Sequence, residues 1–153
     1  MTKNAAKELR KIVLHLPPDA WHGHATETIW AERVGEEQFR VRSVPFFATG
    51  LSAEDIVRVR EEDEMQVAIG VDMHAGHSTY RLFLTEGVEV DSPVFLDHWG
   101  KLERLGCSYE RATKRLFAVD VPPHADIHEV FRLLEKGESA GVWDFEEGHC
   151  GHL

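Results

Sequence analysis

The chain has 153 residues, 42% hydrophobic and 29% charged, with 17 Lys and Arg against 27 Asp and Glu for a formal net charge of −10. Aromatic and branched aliphatic side chains run through its whole length, which excludes disorder and provides apolar surface for one compact unit or two very small ones. The acidic balance argues against nucleic acid as the main partner, because phosphate binding needs a basic face.

The N-terminal segment is polar and mildly basic, with Lys3, Lys7, Arg10 and Lys11 beside only Glu8. It lacks the apolar stretch of a signal peptide, and residues 1–8 are expected to be flexible. No apolar run approaches the roughly 20 residues that span a bilayer. The expected compartment is therefore the cytoplasm, with no membrane partner. In a reducing compartment Cys107 and Cys150 read as free thiols, too few for a disulfide framework.

Residues 9–73 read as a small β-barrel of the SH3-like or OB-like kind. Arg10–Leu16 is a short apolar run closed by Pro17, Pro18 and Asp19. In Glu27–Val34, Ile29 and Ala31 face one way and Thr28, Trp30 and Glu32 the other. A turn at Gly35, Glu36 and Glu37 leads into Gln38–Val44, where Phe39 and Val41 alternate with Arg40 and Arg42. Pro45, Phe46 and Phe47 break that alternation. Ser52–Asp55 reads as one helical turn capped by Ser52. Ile56–Arg60 alternates again, Glu61–Glu64 is an acidic turn, and Met65–Val71 completes five strands.

Residues 77–148 change character and read as a ferredoxin-like unit in the order β-α-β-β-α-β. His77–Leu84 is a strand with Tyr80, Leu82 and Leu84 opposite Arg81 and Phe83. Ser92 and Pro93 start a helix whose Phe95, Trp99, Leu102 and Leu105 recur at helical spacing up to Gly106. A short strand at Cys107–Glu110 and a clear one at Arg115–Val121 follow. Asp126 caps a second helix with an apolar stripe of Ile127, Val130, Phe131 and Leu134, closed by Gly137. Gly141–Glu147 is the last strand, and 149–153 reads as a flexible tail. The two parts meet at 72–76, too short for a tether, so they are expected to pack together.

Ten histidines include four groupings with ligand-like spacing: His22 with His24, His74 with His77, His124 with His128, and His149 and Cys150 with His152. A metal needs several such groups converging in space. No pair is matched by a second at familiar zinc spacing, so no cofactor is expected. Metal ligation by His124, His128, His149, Cys150 or His152 is the lesser reading. A nucleophile built on Ser78 with His77 fails because adjacent strand residues point to opposite faces. Cys107 follows a helix C-terminus, where the dipole disfavours a thiolate. No phosphate-cradling loop or nucleophile elbow is present, and no catalytic residue is assigned. Phe46 and Phe47, on a loop among acidic residues, are candidates for a protein interface.

Several stretches together resemble a bacterial family, domain of unknown function 4265. They are Trp30-Ala31-Glu32, Val44-Pro45-Phe46-Phe47-Ala48, Gly50-Leu51-Ser52 with Asp55-Ile56-Val57, and Gly76-His77-Ser78-Thr79-Tyr80-Arg81. Leu105-Gly106-Cys107, Ala118–Pro122 and Gly141–Gly148 continue the likeness. The resemblance implies a small bacterial protein without an established activity. It directs attention to Glu32, Asp55, His77, Ser78 and Arg81, the last three just past the seam between the two parts, where ligand clefts tend to form.

Three function classes follow. The leading expectation is a non-enzymatic acidic module that binds a basic protein, of the immunity or regulatory-inhibitor type, steered by its charge. The second is a small-molecule or metal-binding sensor or enzyme, with Arg81 fixing an anion and His77 moving protons beside Glu32 or Asp55. The third is a nucleic-acid or ribosome-associated protein, which needs Arg40, Arg42, Arg58 and Arg60 to form a basic face.

Overall fold

The computed structural model describes residues 8–152, so the expected flexibility of the first seven residues lies outside it. The described chain is α+β, mostly strands with two helices. Five strands come first: β1 (Leu9–His15), β2 (Thr26–Gly35), β3 (Gln38–Val41), β4 (Ile56–Glu62) and β5 (Met65–Met73). They are followed by β6 (Ser78–Leu84), α1 (Pro93–Arg104), β7 (Ser108–Arg111), β8 (Leu116–Val121), α2 (Ile127–Ser139) and β9 (Trp143–His149). Among the described residues no helix is long and apolar enough to cross a membrane.

The first five strands pair antiparallel in chain order, and a short parallel contact of Ile12 with Gln66 and Val13 with Val67 returns the last strand to the first, closing the sheet on itself. Period-2 alternation explains the core. Ile12 and Leu14, Ile29 and Ala31, Phe39 and Val41, and Val57 and Val59 all point inward and are buried together. β3 ends at Val41, three residues before the expected limit, because Val44 has left the ladder and gives its N–H to Glu110 Oε2 at 3.0 Å. At residues 52–55 the expected cap is reversed: the Asp55 carboxylate accepts the Ser52 N–H at 2.9 Å, and the segment is a turn rather than a helix.

The remaining strands form one antiparallel sheet in the order β7-β8-β6-β9. Both helices bury their apolar stripes with Tyr80, Leu82, Leu84, Phe117, Val119 and Val121. β6 and β8 are buried on both faces rather than one, since the opposite face meets the first sheet. Ser92 caps α1 with Pro93 in its first turn, and Asp126 caps α2 by accepting from His128 N and Glu129 N.

The buried stripe of α2 is Val130, Leu133, Leu134 and Gly137, whereas Phe131 is 42% exposed. The helix is turned relative to the expected stripe because Trp143 needs a flat surface. Its indole lies against Gly137, inside the helix rather than at its end, and its Nε1 donates to Leu134 O at 3.0 Å. Residues 149–152, expected as a loose tail, are held. His149 belongs to β9, Gly151 N donates to Ser78 Oγ at 2.9 Å, and His152 bonds both Ser78 and Pro122.

A Cβ at Gly137 would stand 2.3 Å from Trp143 Cε2. Gly137→Ala should therefore lower stability in urea denaturation by roughly 1–3 kcal/mol, although Ala is the better helix former by about 1 kcal/mol.

Candidate functional site

The seam between the two sheets is organised around the segment 46–48. Glu27 occupies the inward row of β2 with Ile29 and Ala31, and is buried. Its carboxylate accepts three successive backbone N–H groups, from Phe46 at 2.6 Å, Phe47 at 3.0 Å and Ala48 at 2.9 Å. Arg81, from β6, takes the carbonyls of the same segment: Nε donates to Phe46 O at 2.8 Å and Nη2 donates to Ala48 O. One carboxylate and one guanidinium thus satisfy the polar backbone of a loop that could not otherwise be buried. Arg81 is 1% exposed, and Gly148 lies against its guanidinium so closely that a Cβ there would meet Nη1 at 1.9 Å. Burial holds the Arg81 guanidinium below its ordinary value, opposed by the nearby charges of Glu146 and Glu27.

Beside this clamp lies a cluster of polar side chains. Asp55 is 0% exposed. Its Oδ1 accepts Ala75 N at 2.9 Å, and its Oδ2 accepts Ser52 N and lies 2.9 Å from His74 Nδ1. An ionised carboxylate only accepts, so Nδ1 of His74 carries the proton. Ser52 Oγ lies 2.6 Å from Thr79 Oγ1 and 2.9 Å from His149 Nδ1. The His74 and His149 rings stack with centroids 4.7 Å apart. Burial pushes the His149 imidazole below its ordinary value, so the neutral form is favoured.

The five polar residues singled out in the sequence do not meet at one point. Asp55 lies in this cluster, and Arg81 is spent on the clamp. His77 Nδ1 faces Asp120 Oδ1 at 2.8 Å, in a pair where burial raises the Asp120 carboxyl and the contact with His77 opposes it. Ser78 is fully buried beneath His152, whose Nδ1 is 2.6 Å from Ser78 Oγ and whose Nε2 is 2.9 Å from Pro122 O. A carbonyl can only accept, so in the neutral ring Nε2 donates to it and Nδ1 accepts from Ser78. Glu32 sits on β2 opposite Arg40. Of the sequence candidates for a metal, His149 alone belongs to the group of three potential ligands found among the described residues, which is completed by Asp55 and His74. His124 lies over Gly106, His128 and His152 line a shallow depression near Pro123, and Cys150 is exposed.

Glu27, Ser52 and Thr79 are site residues that the sequence did not single out. The alternation of β2 carried a signal for Glu27, since an acid in the row of Ile29 and Ala31 must find partners inside. His74 showed only its spacing to His77, with which it does not pair.

Segment 46–48 also sets an aromatic groove of about 490 Å³ on the surface. Phe46 and Phe47 are half-buried, and Phe47 is the ring that enters this groove. Trp21, 60% exposed, stands edge-on to Phe83 at 5.2 Å and to Phe47 at 6.1 Å. His22 and His24 each lie 4.6 Å from Phe47. Three of the four arginines that could have made a basic face are paired with acids: Arg42 with Glu54, Arg58 with Glu37 and Asp72, and Arg60 with Glu62.

Removing one charge of the clamp leaves the other buried against a loop it can no longer balance. Glu27→Gln and Arg81→Met should each cost roughly 3–5 kcal/mol in urea denaturation, and the double variant less than their sum. The cysteines should also separate. Burial, with Asp120 adding to it, pushes the Cys107 thiol up from 9.0 to about 12, while Cys150 is exposed. At pH 8 a thiol reagent should label Cys150 readily and Cys107 slower by on the order of 1,000-fold until denaturant is added. Between those two values the unfolded chain has lost the Cys107 proton and the folded chain keeps it. Stability should therefore fall as pH rises above 9, and Cys107→Ala should flatten that slope.

The fold is similar to that of a hypothetical protein from Neisseria gonorrhoeae known from a crystal structure. The TM-score is 0.76 over 99% of this chain and 100% of that one, at 18% sequence identity. That likeness concerns the fold alone. No curated protein matches the sequence. The family model described as Domain of unknown function (DUF4265) matches residues 27–145. That span takes in Glu27 and Arg81 of the clamp, and the chain belongs to this family.

Proposed function

We propose that the protein is a non-enzymatic protein-binding module, of the kind that acts as an immunity protein or regulatory inhibitor, and that the aromatic groove is its contact surface. The observation that carries this reading is Trp21, a large ring 60% exposed yet fixed by edge contacts to Phe83 and Phe47. Exposed aromatic anchors held in place lose little freedom on binding and dominate interface energetics. The net charge of −10 favours a basic partner, mainly through the association rate. A cytoplasmic setting is part of the same proposal. The ion pairs of Arg42, Arg58 and Arg60 weigh against a nucleic-acid partner.

In this reading residues 9–73 form a small barrel of SH3-like or OB-like kind, supported by the closure of β5 onto β1. Residues 77–148 form a ferredoxin-like unit, supported by the β-α-β-β-α-β order and the strand order β7-β8-β6-β9.

The test is affinity capture from the host lysate at low salt, comparing the natural protein with a Trp21→Ala, Phe47→Ala variant of unchanged circular dichroism. A basic protein should be enriched on the natural chain, be lost or weakened at least about tenfold on the variant, and bind more slowly at high salt. Equal capture by both proteins would remove the groove from the interface. An enriched acidic partner would count against the charge argument.

A further inference from the structure

We propose that Asp55, His74 and His149 bind one divalent transition-metal ion of the zinc class across the seam. One potential ligand atom from each of the three lies within 4.8 Å of the other two. Donors bound to zinc at 2.0–2.2 Å stand about 3.3 Å apart in a tetrahedral site, so the cluster must contract by about 1.5 Å at most. The exposed member has room for that: the His74 side chain is 48% exposed, whereas the Asp55 carboxylate is fully buried and fixed by two backbone N–H groups.

The chemistry of the donors agrees. Two imidazoles and one carboxylate suit zinc, cobalt or ferrous iron better than calcium or magnesium, which prefer oxygen alone. Nδ1 of His149 is engaged by Ser52, which leaves its Nε2 for the ion, while Nδ1 of His74, 2.9 Å from Asp55 Oδ2, releases its proton and takes the ion beside that carboxylate. Thr79 bonds Ser52 in turn, so the His149 ring is oriented by a two-hydroxyl chain of the sort that supports metal-bound histidines. The buried Asp55 carboxylate, held by two backbone N–H groups and His74, gains a full positive charge beside it when the ion binds. Three protein donors leave a fourth position for water or an added ligand on the exposed His74 side.

The three ligands come from different parts of the fold. Asp55 precedes β4, His74 follows β5, and His149 ends β9. The ion therefore ties the second sheet to the first, and metal binding should register as stability of the whole chain.

The experiment uses the untagged full chain, stripped with a chelator, then titrated with Co²⁺ followed by absorption and with Zn²⁺ followed by calorimetry and thermal unfolding. One equivalent should bind, with intensified visible Co²⁺ bands and a rise in Tm on adding Zn²⁺. His74→Ala and His149→Ala should each weaken binding about 10–100-fold and abolish the rise in Tm. A His22→Ala, His24→Ala variant should bind as the natural protein does, which separates this site from the histidine pair in the groove. His74 is exposed, so His74→Ala carries the test if the His149 variant does not fold. Unchanged binding of one equivalent by His74→Ala would overturn the proposal. So would loss of binding in the His22, His24 variant, or the absence of any saturable equivalent in the natural protein.

Discussion

Three amides and two carbonyls of the Phe46–Ala48 segment would lose their partners in the seam without the two charges that bracket them. Glu27 answers the amides from the first sheet, and Arg81 answers the carbonyls from the second. Neither charge has bulk water to fall back on, so each depends on the loop and on the other's field. What surrounds the segment inherits its position. On one side the segment presents Phe47 to the groove. On the other it leads through Leu51 into the turn that carries Ser52 and Asp55. The groove and the histidine cluster are therefore two outlets of one constraint.

Much of the fold was legible because its signals are local. Alternation in β2, β3 and β4, the capping residues of both helices and the β-α-β-β-α-β order are each set by residues close in sequence. What was not legible depends on partners far along the chain. Alternation put Glu27 in the inward row, but nothing near it announces that the loop at 46–48 will bring three N–H groups to it. Arg81 looked like a ligand-binding group because strand periodicity does not reveal that a second sheet covers that face. The stripe of α2 shifted towards Leu133 and Gly137 because Trp143, in the next strand, selects the face it can lie flat against. His74 and His149 are far apart in sequence, and only the closed seam brings their rings together.

Charge distribution separates attraction from contact on the proposed reading. Arg42, Arg58 and Arg60 are tied to neighbouring carboxylates, so the acidic excess is left to set the long-range field. The groove itself is lined by aromatic and histidine rings with Arg115, and no carboxylate is among its lining residues. A partner drawn by the field would meet a largely uncharged surface at the point of contact, where desolvation costs less.

The bond between Ser52 and His149 joins residues 97 positions apart, and that between Ser78 and His152 spans 74. Closing loops of this length adds entropy cost without much direct contact in return until both sheets exist. The Ser52–His149 bond across the seam is thus costly to close and has little support from neighbours in sequence. The seam's bonds need both sheets in place, so the seam and the two cores depend on one another. Whatever binds across the seam therefore stabilises the two sheets as one unit.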